Sequence, residues 1–84
     1  MFKVLVSKSA SRELRALPAQ VIGRIVAALQ KLETDPRPSG SKKLRGGGDV
    51  WRIRVGDYRI IYAIEDILRI IDIRKIGHRK DVYE

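Results

Sequence analysis

Three arginines punctuate the stretch "WRIRVGDYRIIY" (Trp51–Tyr62): Arg52 and Arg54 two residues apart, and Arg59 just past a Gly-Asp pair. A guanidinium is permanently charged and planar. It can grip a phosphate through two parallel hydrogen bonds and stabilise negative charge that grows on it. A second basic set, Lys42, Lys43 and Arg45, precedes them in "KKLRGGGD", and "GHRKDVY" follows with His78, Arg79 and Tyr83. Such residues suit phosphate binding and electrostatic work on a phosphodiester. His78 is the one side chain here whose unperturbed pKa lies near neutrality. A single histidine and no cysteine exclude a two-histidine acid–base pair within one subunit and any thiolate metal site. No metal-ligand cluster is visible, so neither a metal nor another cofactor is expected.

The bulk charge points the same way. A formal net charge of +8 on 84 residues, with a pI near 10.3, creates a field that favours polyanions. Nucleic acid is the common partner of such a domain, an acidic protein or a membrane surface the less common one. The blander interpretation is a solvated sheet face on which Glu65, Asp66 and Asp72 answer the arginines. The extra basic loop and the choice of arginine over lysine weigh against it. Gly46, Gly47 and Gly48 precede a strand rather than a helix, so they read as a flexible entry and not as a phosphate loop. "MFKVLV" is too short for a signal peptide, and no apolar run approaches the roughly 18–20 residues of a membrane span. A cytoplasmic protein without membrane contact is the expectation.

The elements that must hold these groups follow from periodicity. "FKVLV" (Phe2–Val6) reads as a strand, and Ser7 and Ser9 offer N-caps for a helix containing "ASRELRAL". Pro18 separates it from a second helix with a stripe of Val21, Ile22, Ile25, Val26, Leu29 and Leu32, Arg24 and Lys31 facing out. "TDPRPSGS" ends that helix. Strands at Val50–Val55, Tyr58–Ile64 and Leu68–Ile76 follow, close enough to demand antiparallel hairpins. The expected fold is α+β: a small antiparallel sheet of about four strands against an N-terminal helical hairpin, in the order β-α-α-β-β-β, as a single domain over residues 1–84. Alternation sends Trp51, Ile53 and Val55 toward the helices and Arg52 and Arg54 to the open face, where the turn lets Arg59 join them.

With these residues assembled, the chain resembles the RelE/ParE superfamily of type II toxins. The resemblance rests on "KKLRGGGDVWRIRVGDYRIIY" and "IRKIGHRKDVYE" and spans nearly the whole chain. The RelE branch implies a ribosome-dependent mRNA endonuclease, an RNA-binding hydrolase that cleaves in the A-site codon, inhibits translation and is silenced by an acidic, RelB-like antitoxin. Its partners would be that antitoxin and the ribosome with bound mRNA. By motif, Arg45 corresponds to the basic loop residue that contacts RNA or ribosome, and Lys42 and Lys43 of the same basic loop are RNA- or ribosome-binding candidates beside it. Arg52 and Arg54 occupy the basic strand pair, commonly lysines in relatives. Arg59 matches the arginine near the scissile phosphate, Arg79 the arginine of the closing G-x-R, and Tyr83 a tyrosine that stacks on or orients a base. The ParE branch implies a gyrase inhibitor without nuclease activity, and a catalytically silent RNA- or antitoxin-binding member is the third possibility.

Metal-free RNA cleavage would use the 2′-hydroxyl as nucleophile and leave a 2′,3′-cyclic phosphate and a 5′-hydroxyl. Arg59 would stabilise the phosphorane and Arg79 the leaving oxygen. Arginine at positions 52 and 54 effectively cannot deprotonate, so the base is open. His78 or Tyr83 could carry a proton, or ribosome and RNA could supply the acceleration by aligning the 2′-hydroxyl.

Overall fold

Ser7 starts the first helix by accepting a hydrogen bond from Ala10 N at 3.1 Å, which satisfies one of the amides a helix N-terminus leaves open. In the computed structural model, which describes residues 1–82, the elements run β1 (Lys3–Val6), α1 (Lys8–Arg15), α2 (Ala19–Leu32), β2 (Lys42–Lys43), β3 (Val50–Val55), β4 (Tyr58–Glu65) and β5 (Ile70–His78). Pro18 caps α2, where its missing N–H costs nothing. Of the apolar stripe on α2, Ile25, Leu29 and Leu32 are buried, while Val26 lies at the margin, 38% exposed.

The helical hairpin packs on one face of a five-stranded sheet of order β1-β5-β4-β3-β2, the α+β arrangement that the element pattern implies. Two features go beyond that pattern. Lys42–Lys43, expected in a loop, pairs antiparallel with β3 as a short edge strand. β1 joins β5 in parallel, because both helices lie in the crossover between them and the rest of the sheet. The β4–β5 turn is longer than expected: Arg69 adopts a left-handed φ of 56°, and β5 begins at Ile70. Ile67 and Leu68 consequently stand exposed at its tip.

A bulge sets the faces of β5. Ile61 pairs with Lys75 but Tyr62 pairs with Ile73, so Arg74 is the extra residue. Ile71 and Ile73 obey simple alternation, and the inserted residue then returns Ile76 to the core. Beyond the end of β1, Glu13 Oε1 accepts from the Ile76 amide at 3.0 Å, which covers the exposed edge of β5.

Tyr62 is fully buried, and its hydroxyl donates to Pro36 O at 2.8 Å; burial pushes the phenol from 10.0 up to about 12. Around it, Arg37 ties the loop after α2 to the sheet. Its guanidinium binds Asp66 Oδ2 at 2.9 Å and Asp49, and lies 5.5 Å from the centre of the Trp51 ring. The hydrogen bond from Arg37 lowers the pKa of Asp66.

Candidate functional site

The turn between β3 and β4 decides where the arginines meet. Gly56 and Asp57 form a two-residue connection in which Gly56 takes φ of 61°, as a hairpin with glycine first requires. Val55 and Tyr58 close that hairpin, so the next pair, Arg54 and Arg59, sits directly opposite in the ladder. In a two-residue hairpin this pair is non-hydrogen-bonded, with Cβ atoms roughly 4.5–5.5 Å apart. Two guanidinium stems thus rise from adjacent strands on the face away from the helices. Arg54 is exposed and Arg59 half-buried.

Arg52 shares that face but not that exposure. It is 4% exposed, with Ile61 across the ladder on one side and Lys42 on the other. The expectation of three guanidiniums on an open face therefore needs correction. The short strand β2 makes β3 an inner strand at this point, and Arg52 is enclosed between rows of neighbours. Ile61 and Ala63 on the same face are also under a tenth exposed. Of the acidic residues expected to answer them, Asp66 binds Arg37, and Asp72 lies 3.7 Å from Arg74.

β2 also separates two lysines that the sequence leaves equivalent. Lys42 pairs with Arg52 and belongs to the arginine face, whereas Lys43 pairs with Trp51 and belongs to the helix side. Arg45 is exposed in the glycine-rich loop beyond them.

The end of β5 brings Arg79 to the same end of the sheet. Tyr58 pairs with His78, and Arg79 N donates to Asp57 O at 2.8 Å, extending the ladder one step. Gly77 pairs with Arg59, so alternation puts Arg79 on the arginine side and His78 on the other. The His78 ring meets Tyr58 edge to face at 5.4 Å, and its Nδ1 accepts from Lys80 N at 3.2 Å. His78 is thus not beside the arginine pair. Tyr83 lies outside the described residues.

One cation escapes the sequence reading. The Arg24 guanidinium, from α2, lies against the hairpin turn: a Cβ placed on Gly56 would sit 2.9 Å from its Nη2. With Lys31 and Arg54 it lines a groove of about 680 Å³ between α2 and β3, floored by Leu32 and Ile53. The available signal was the seven-residue spacing of Arg24 and Lys31, which sets both along one edge of the helix. Among the described residues no group of three or more His, Cys, Asp or Glu side chains could hold a metal ion, and no helix is long and apolar enough to cross a membrane.

Comparisons with known proteins place the chain among relatives of the same fold. Residues 4–83 match the family described as the ParE toxin of the type II toxin–antitoxin system, parDE. A candidate toxin of Methanocaldococcus jannaschii, RelE1, is 33% identical over 86 residues, covering 99% of this chain and 96% of its own length. Toxin RelG of Mycobacterium tuberculosis is 29% identical over 83 residues, covering 98% and 95%. Among solved structures, an archaeal RelE–RelB complex from Pyrococcus horikoshii OT3 superposes with a TM-score of 0.85 at 31% identity, covering 96% of this chain and 98% of that one.

Proposed function

The chain belongs to the RelE/ParE family of type II toxin–antitoxin toxins, and from that premise we propose that it is a ribosome-dependent endonuclease that cleaves mRNA in the A-site codon. One observation carries the reading: Arg54 lies directly opposite Arg59 on the sheet face away from the helices. Two guanidiniums opposite one another on adjacent strands suit an anion held between them, since each can donate paired hydrogen bonds to it. A phosphodiester is such an anion, and its charge rises as the phosphorane forms.

In the reaction, the RNA 2′-oxygen bonds to the adjacent phosphorus while the bond to the 5′-oxygen breaks. The products are a 2′,3′-cyclic phosphate and a 5′-hydroxyl. One proton leaves the 2′-hydroxyl and one reaches the departing 5′-oxygen. Arg59, half-buried, stabilises the phosphorane with Arg54, and Arg79 stabilises the leaving oxygen. Arg52 supports this set from beneath, and Lys42 and Arg45 hold flanking RNA or ribosome. His78, on the other side of the sheet, shapes the chain that carries Arg79, and Tyr83 is the candidate for stacking on a base. Acceleration then rests on electrostatic stabilisation and on the ribosome holding the 2′-hydroxyl in line. The activity needs no metal.

The partner that restrains it is an acidic antitoxin. A formal +8 chain attracts such a segment, and the similar structure from Pyrococcus horikoshii is a complex with RelB.

The test is a cleavage map on ribosomes stalled with an empty A site over a defined mRNA, beside the same mRNA alone. New 5′ ends inside the A-site codon, absent on free RNA and lost in Arg59→Ala, are the expected result. Cleavage of both would make it a free ribonuclease. No cut on either, together with inhibition of DNA supercoiling, would replace the nuclease reading by the gyrase-directed one.

A further inference from the structure

The chain reverses immediately after β5. Lys80 N donates to His78 Nδ1 at 3.2 Å and Asp81 N to His78 O at 2.8 Å, closing a turn. That turn returns Val82 to the arginine face, where it is 3% exposed. Gly77 lies directly beneath it: a Cβ built on Gly77 would come within 2.8 Å of Val82 Cγ2, a distance at which Val82 or the strand has to shift.

Nothing in the backbone demands glycine at position 77. Positive φ values occur at Gly40, Gly46, Gly48 and Gly56, not there. A strand interior also disfavours glycine, through lost entropy and lost side-chain packing. What the position does require is an empty space, because another part of the chain occupies it. Gly77 pairs with Arg59, so that space lies beside the arginine pair.

We propose that Gly77 and Val82 form a latch that seats the C-terminal segment on the arginine face and thereby fixes Arg79 over the reacting phosphate. Both are positioning residues: neither reaches RNA, and each acts through Arg79, the whole device spanning the six residues from Gly77 to Val82. The latch has two fastenings, the Arg79 amide on Asp57 O at 2.8 Å and Val82 on Gly77. With Val82 displaced, the first remains as a single hydrogen bond at the end of a ladder, where strands fray. The consequence for activity rests on the nuclease reading; the consequence for the tail does not.

The experiment measures two quantities on full-length variants: exchange protection of the Arg79, Lys80 and Asp81 amides, and single-turnover cleavage of mRNA on stalled ribosomes. Gly77→Ala should lose most of the protection at these amides. It should also cleave on the order of 10²-fold more slowly, as a misplacement of about 1 Å does, at nearly unchanged affinity for the ribosome. Val82→Ser, which leaves β5 untouched, should open the tail as well. The double variant Gly77→Ala/Val82→Ala adds one methyl group to the strand and removes the two of Val82, one of which is the clashing Cγ2, and should recover both protection and cleavage. Retained protection in Gly77→Ala, or a double variant as impaired as the single one, would overturn the latch. If exchange follows the expected pattern while the unaltered protein cuts no ribosome-bound mRNA, the latch stands and the nuclease reading falls.

Discussion

Replacing Arg59 and Arg54 singly should give unequal penalties, although the two face each other across one ladder. In the proposed reaction both guanidiniums act on one phosphate from opposed ladder positions. Two unit charges about 4 Å apart interact by about 4 kcal/mol at an effective dielectric near 20, and by about 1 kcal/mol in bulk water. Arg59 is half-buried and works nearer the first regime, while Arg54 is exposed and works nearer the second. As one further negative charge develops on the phosphorane, Arg59→Ala should slow cleavage about 10²–10³-fold. Arg54→Ala should slow it only about fivefold, the rate equivalent of about 1 kcal/mol. The assay is single-turnover cleavage on stalled ribosomes at saturating protein, so that weaker binding drops out of the comparison. Added salt should shrink the Arg54 effect and leave most of the Arg59 effect, because screening acts on exposed charges first. The reasoning fails if Arg54→Ala proves the more damaging, or if Arg59→Ala stays within threefold of the unaltered protein while remaining folded.

Lys42 and Lys43 should separate in the same assay. Lys42→Ala is expected to lower cleavage efficiency severalfold and to reduce the slope of log affinity against log salt by roughly 0.7, one single-strand phosphate contact, whereas Lys43→Ala should change neither; equal effects would mean that the β2 register is not what divides them. His78→Ala should lower the rate severalfold through the loosened turn and keep the shape of the pH–rate profile. Disappearance of an ionisation near neutrality from that profile would instead make the imidazole a proton carrier. Tyr62→Phe should cost about 1 kcal/mol in urea denaturation at pH 7, for the lost bond to Pro36 O. The folded phenol titrates near 12 rather than 10.0, so its protonated form favours the fold: that contribution is complete below the lower value and lost as pH rises toward the higher. Stability of the unaltered protein should therefore fall on alkaline titration through this window, and Tyr62→Phe should lack that part of the fall; identical alkaline slopes would count against a buried phenol.

Much of this molecule is local enough to be read in one dimension. The helical hairpin follows from Ser7, Pro18 and the spacing of Ile25, Leu29 and Leu32, since capping and a 3.6-residue period are properties of neighbouring residues. The tight turn at Gly56–Asp57 is equally local, and with it the register that opposes Arg54 to Arg59. The net charge of +8, which favours polyanions, follows from composition alone, because net charge does not depend on fold. Tertiary structure decided the rest. Two residues of β2 can pair only because β3 offers them an edge, and this pairing buries Arg52 and divides Lys42 from Lys43. The bulge at Arg74 arises where β4 and β5 must both present isoleucines to one core; it breaks the simple alternation that would otherwise assign Ile76, Gly77 and His78 to their faces. Gly77 is the plainest case: in the sequence it is a glycine near the end of a strand, and its reason lies in Val82, which reaches it only after the chain has turned back.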